Sequence, residues 1–208
     1  DALVLVTNRL AGEDESVELW ISRLDRLISR LPAEIPLGFY ECPYPYKRLL
    51  SPLQIRHLIK TERFEFIKDT CCDPAMMRER ARLSRDSKVL FYNANGATLL
   101  YSLQQGYAGY SGIMTNFHSD LYYRLCHNWG ADSDTARELQ DYLGSASIIE
   151  RQLYPQNAKY SLQKEGTLKT AVCRRPGSAG RELTASEKME VDQFFNISMK
   201  MSNKYKQE

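Results

Sequence analysis

Hydrophobic positions along the chain fall into two alternating patterns. Short apolar runs without polar alternation recur at residues 2–7 (ALVLVT), 35–40 (IPLGFY), 64–68 (FEFIK), 88–92 (KVLFY) and 109–114 (GYSGIM). Between them the apolar residues take helical spacing. Val17, Trp20, Ile21, Leu24, Leu27, Ile28 and Leu31 mark one face of a helix closed by Pro32. Residues 51–60 predict a second helix, with Ser51 as N-cap and Pro52 at its first position. A third is expected from Asp73 and Pro74 to about Leu83, and a fourth over residues 97–106, ending at Gly106. Beyond Met114 the pattern is helical almost throughout from Ser119 on, broken near residues 174–180 (RRPGSAG).

Five non-alternating strands, each followed by a helix, indicate a parallel sheet covered on both faces, hence a barrel or a doubly wound sheet. The first strand is followed by NRLAGED at residues 8–14, which has no GxGxxG pattern, and the chain has no P-loop. The barrel is therefore preferred. Residues 1–130 are expected to form it as an α/β unit, and residues 131–208 a helical region.

Catalytic groups of such barrels sit at the C-terminal ends of the strands. Here those ends are Thr7, Tyr40, Lys68, residues 92–95 and residues 114–116. A tyrosine closes one strand and a lysine the next, and neighbouring strands lie about 4.8 Å apart. A lysine enclosed by Tyr40, Phe66 and Tyr92 has its charged form desolvated, which makes it a nucleophile for a ketone. A tyrosine hydroxyl can carry the protons that such chemistry moves. Against this stands the ordinary alternative, a lysine that reaches solvent or pairs with Asp69.

Composition narrows the field by exclusion. Lys and Arg number 28 against 26 Asp and Glu, a balance too even to point to nucleic acid. No apolar run is long enough to span a membrane, and DALVLVTNRL lacks the features of a signal peptide, so a cytoplasmic location is expected. The five cysteines (Cys42, Cys71, Cys72, Cys126, Cys173) include no CxxC pair, and the three histidines do not cluster with them. Reduced thiols are expected, with no zinc site. The adjacent Cys71 and Cys72 are read as small buried thiols, and the sequon at Asn196 as unmodified.

The segments GFYECP (38–43), FIKDT (66–70) and LQQGYAGYSGIMTNF (103–117) resemble the dihydrodipicolinate synthase / N-acetylneuraminate lyase family of Schiff-base aldolases. Tyr40 and Pro43 match its fifth-strand Tyr-x-x-Pro. Ile67 to Thr70 match its lysine motif, with Phe66 where the family has glycine. Gly106, Gly109, Ser111 and Gly112 fit its eighth-strand pattern, and residues 154–166 are similar to a segment of its C-terminal helices. The resemblance implies strands four to eight of a (β/α)8 barrel, with Lys68 as the Schiff-base lysine and Tyr40 as proton relay. It implies that the backbone at Ser111 and Gly112 cradles a 2-keto acid, that Thr7 lines the substrate site, and that Thr70 and Asn95 face the second substrate. The implied partners are pyruvate, an aldehyde and further copies of the chain in a homo-oligomer. No cofactor is implied beyond the lysine itself.

Departures from the family pattern limit this reading. Pro45 stands where the synthases carry an arginine for the aldehyde's carboxylate, and Lys47 does not replace a bidentate guanidinium. Thr7, Asn8, Arg9 and Leu10 replace Thr-Pro-Tyr-Tyr, and Ala94 and Asn95 replace Gly-Asp. An aldolase or lyase acting on another 2-keto acid, sugar acids included, is expected rather than a typical synthase. The alternatives are a non-catalytic keto- or sugar-acid-binding or assembly homologue and a dehydratase of the same family. With five strands and a start inside a strand, the chain is expected to lack three N-terminal βα units. It is then expected to be inactive alone and to associate through the edges at residues 2–7 and 109–114.

Overall fold

The five apolar runs form five parallel strands in the computed structural model, which describes residues 2–174 and 181–206. They are β1 (Leu3–Val6), β2 (Leu37–Tyr40), β3 (Phe64–Asp69), β4 (Leu90–Asn93) and β5 (Gly109–Tyr110), laid side by side in chain order. Helices α1 (Val17–Ile28), α2 (Pro52–Thr61), α3 (Pro74–Ser84) and α4 (Leu99–Gln105) cross from each strand to the next. Strand order never reverses, so the sheet has no switch point of the doubly wound kind and follows barrel topology.

Local chemistry sets the helix ends. Ser51 and Gln54 form a reciprocal capping box at the start of α2, with Pro52 where no N–H is needed. The Asp73 carboxylate accepts from the Ala75 and Met76 N–H groups to open α3. Gly106, at φ +107°, closes α4 in the left-handed region.

The last strand is shorter than its apolar run. Ser111 N–H still donates to Asn93 O at 2.8 Å, but the chain then turns into α5 (Thr115–Asn128). The Thr115 hydroxyl donates to Gly112 O and the Asn116 amide to Ile113 O. These local bonds draw the backbone out of the sheet and start the helix before Ser119.

A register shift decides which side chains face which side. Leu37 pairs with Phe64 but Gly38 with Phe66, so β3 carries one extra residue, Glu65. Phe64 and Ile67 therefore both reach the helix-covered core, where they pack with Trp20, Leu24, Phe39, Leu58, Met77 and Phe91. Phe66 and Lys68 face the other side. The Phe66 ring lies over Gly38, where an added Cβ would come within 2.2 Å of it. Gly38→Ala is expected to destabilise by about 1–3 kcal/mol through overpacking. The pair Gly38→Ala/Phe66→Ala should recover most of that loss in urea unfolding, and equal losses in the two variants would refute the contact.

The compact units are Asp1–Ser111 and Gly112–Glu208. The second contains α5, α6 (Ser133–Ala146), α7 (Gln156–Glu165) and α8 (Ala185–Lys206). Its helices are less continuous than the apolar pattern implies, since a 3-10 turn occupies Ser147–Arg151 and no helix covers residues 167–184 that are described. Most of the expected break, residues 175–180, lies outside the described residues. His118 interrupts α5 with φ −154° and ψ 67°. Its ring is packed against Tyr122, Tyr142 and Phe194, and Nδ1 shares a 3.1 Å hydrogen bond with the Ser198 hydroxyl.

Burial pushes His118 down to about 4, against a weak opposing pull from Asp120. The folded unit thus refuses a proton that the unfolded chain accepts below about 6.5. The stability this contributes is whole above that pH and lost progressively as pH falls towards 4, about 3 kcal/mol in all. Melting at successive pH values should show wild type losing more stability across this window than His118→Phe, and parallel losses would exclude the effect. No helix among the described residues is long and apolar enough to cross a membrane.

Candidate active site

Strand register brings Tyr40, Lys68 and Tyr92 into one row: Tyr40 is paired with Lys68, and Lys68 with Tyr92. Because side chains alternate along a strand, all three project to the face away from the core of the first unit. They line a cavity of about 470 Å³ together with Val4, Phe66, Tyr110 and Ser111. Lys68 Nζ stands 4.4 Å from the centroid of the Tyr40 ring. Burial lowers the Lys68 pKa below the ordinary lysine range, although Cys42 pulls the other way. The ring face stabilises the charged form of the amine, which partly opposes the effect of burial.

Lys68 does not pair with Asp69. Alternation sends Asp69 to the opposite face, where its Oδ1 lies 2.7 Å from Arg80 Nη1. Arg80 also donates to both Glu41 oxygens, at 3.0 and 2.8 Å, and to Leu50 O at 3.1 Å. Tyr107 donates its hydroxyl to Asp69 Oδ2. Glu41 accepts in addition from the Leu50 and Thr70 N–H groups, and Asp69 from Cys71 N–H. Glu41, Asp69 and Arg80 are all buried. Burial, the largest single influence, pushes the Asp69 carboxyl up, but Arg80 and the hydrogen bonds from Tyr107 and Cys71 together hold it below its usual range.

Of the residues singled out from sequence, Tyr40, Lys68 and Ser111 share the cavity. Thr7, Thr70 and Asn95 are not among the residues that line it. Thr7 donates its hydroxyl to Arg48 O at 2.7 Å, and Thr70 to Glu41 O at 2.8 Å. Asn95 caps a 3-10 turn by accepting from Thr98 N–H. Gly112 opens the second unit.

The loop after Tyr40 is held by Asn8, whose amide reaches the carbonyls of Cys42, Tyr44 and Tyr46. Tyr46 returns a hydroxyl to Asn8 O at 2.8 Å. The aromatic residues of ECPYPYK thus include one that anchors the loop internally. Sequence reasoning missed Val4 and Tyr110 as lining residues and the Glu41–Arg80–Asp69–Tyr107 cluster altogether. Val4 carries no polar signal in its apolar run. The cluster had one available clue: Glu41 and Asp69 each follow a residue of the dyad and so must face the core side.

All five cysteines are free, and no group of three His, Cys, Asp or Glu residues suited to a metal ion occurs among the described residues. Burial and the neighbouring Asp69 push the Cys71 thiol up to about 12, which keeps it protonated.

The profile of the dihydrodipicolinate synthetase family matches residues 26–195. The chain belongs to that family. No curated protein matches it, but many solved structures do. It is similar to YagE, a prophage protein of the dihydrodipicolinic acid synthase family from E. coli K12 solved in complex with pyruvate. Identity is 16% and TM-score 0.81, over 96% of this chain and 66% of that one. A dihydrodipicolinate synthase from Bacillus anthracis gives 19% identity and TM-score 0.79, over 94% and 65%. A monomeric dihydrodipicolinate synthase variant gives 15% and 0.76, over 96% and 64%. The chain thus spans slightly less than two thirds of the length of these family structures, and its five strands form part of a (β/α)8 barrel.

Proposed function

We propose that the protein is a Schiff-base-forming lyase or aldolase that acts on pyruvate or a pyruvate-derived 2-keto acid. The observation that carries this is the placement of Lys68 Nζ against the Tyr40 ring within a partly enclosed aromatic cavity. Burial favours the neutral amine, which is the form that attacks a ketone. In this reading Lys68 adds to C2 of the keto acid, and loss of water gives the iminium. Removal of a C3 proton yields an enamine that forms a carbon–carbon bond to an aldehyde, or arises when such a bond breaks. Tyr40 carries the protons that these steps exchange.

The backbone at Ser111 and Gly112 is assigned to cradle the keto acid, and Tyr40 to contact its carboxylate. Thr7, Thr70 and Asn95 are assigned a role through the backbone they hold around the site, since their side chains engage it. Pro45, in place of the synthase arginine, favours an aldehyde partner without the synthase substrate's carboxylate. The test is incubation of the full-length protein with pyruvate, reduction with borohydride, and location of the adduct by peptide mass. An adduct on Lys68 supports the reading. Its absence at saturating pyruvate refutes the reading.

A further inference from the structure

We propose that the buried Glu41–Arg80–Asp69–Tyr107 cluster is a positioning device that holds Tyr40 and Lys68 at a common height and spacing. The inference rests on the function proposed above. Its ground is geometric: each acid of the cluster is the chain neighbour of one residue of the dyad. Tyr40 and Lys68 face the cavity, while Glu41 and Asp69 face the core side, where a single guanidinium grips both.

Stability does not account for this arrangement. Two carboxylates and one guanidinium sit where almost no water reaches, with relative exposures of 0%, 0% and 1%. Desolvating such charges offsets most of their attraction, and apolar replacements of similar volume are often as stable. A guanidinium fork supplies direction instead, because its planar donors accept only a narrow range of carboxylate placements. The strands end at Tyr40 and Asp69, and main-chain pairing reaches only just past them, with Glu41 N–H to Lys68 O at 3.3 Å and Ala94 N–H to Asp69 O at 2.9 Å. The cluster extends the hold past that point. Thr70 N–H reaches Glu41 Oε2 at 3.0 Å, and Cys71 N–H reaches Asp69 Oδ1 at 2.6 Å. Tyr107, which precedes β5, ties that part of the chain to the same carboxylate. Rotation of either strand end about its axis would have to break several of these bonds together.

Two variants test this. Arg80→Lys keeps the charge and loses the fork, and Tyr107→Phe removes one hydroxyl. Each is checked for a native circular-dichroism spectrum and melting temperature. Two properties are then measured: the rate of borohydride trapping at saturating pyruvate, and the pH dependence of reductive methylation of Lys68 by formaldehyde. In folded protein, trapping is expected to slow at least about tenfold for Arg80→Lys and about threefold for Tyr107→Phe, as for a displaced reactive group. The pH at which Lys68 becomes reactive should move in both. Folded variants with wild-type trapping and an unchanged methylation profile would overturn the inference, even if their melting temperatures fall. Should Arg80→Lys not fold, Tyr107→Phe decides alone. Wild-type protein that forms no pyruvate adduct refutes the proposed function instead, and the methylation profile still decides whether the cluster positions Lys68.

Discussion

Lys68→Ala is expected to abolish covalent trapping of pyruvate by borohydride, while the wild-type adduct maps to the peptide that contains Lys68. Among the described residues no other lysine lines the cavity, so no second amine is placed to take over. Loss should be complete within detection, because without the amine no imine can form. The pH dependence follows from the direction of the Lys68 shift. Attack requires the neutral amine, and burial lowers the pKa, so trapping should rise with pH and reach its plateau at lower pH than an exposed lysine would. An adduct on another lysine, or a profile that rises only in the range of exposed lysines, would remove Lys68 from the mechanism.

Tyr40→Phe is expected to lower turnover by roughly 10²–10⁴-fold, the range for a positioned acid–base group. The phenyl ring should keep both the packing and the contact of the Lys68 ammonium with an aromatic face. Fold and melting temperature should therefore be nearly unchanged. The split between the two steps is informative. If Tyr40 relays protons, both imine formation and the carbon–carbon step slow. A turnover loss below tenfold would leave Tyr40 a packing role only.

Much of the frame is legible in the order of residues alone. The unbroken apolar runs mark parallel strands, since strands buried on both faces have no polar side to alternate with. Ser51 with Pro52, and Asp73 with Pro74, mark two helix starts, since caps are local hydrogen bonds between close chain neighbours. The dyad is legible because both residues lie at the ends of their apolar runs, and its enclosure by Phe66 and Tyr92 follows from strand order.

Other features depend on residues distant in sequence, and only the tertiary structure decided them. The extra residue in β3 is invisible in an apolar run, yet it sends Phe64 and Ile67 to one side and Lys68 to the other. Gly38 looks like a weak point in a strand until the Phe66 ring is seen lying across it. Asp69 sits beside Lys68 in the chain but pairs with Arg80, because alternation separates adjacent residues by the thickness of the sheet. His118 likewise gives no sign in sequence that its ring is buried among aromatics contributed by three helices. The chain by itself determined the order of strands and helices and the placement of Tyr40 and Lys68 at neighbouring strand ends, because periodicity, capping and strand ends are properties of near neighbours. Side-chain partners, burial and the Lys68 shift were decided by the folded structure, because they depend on which distant segments close over each group and exclude water.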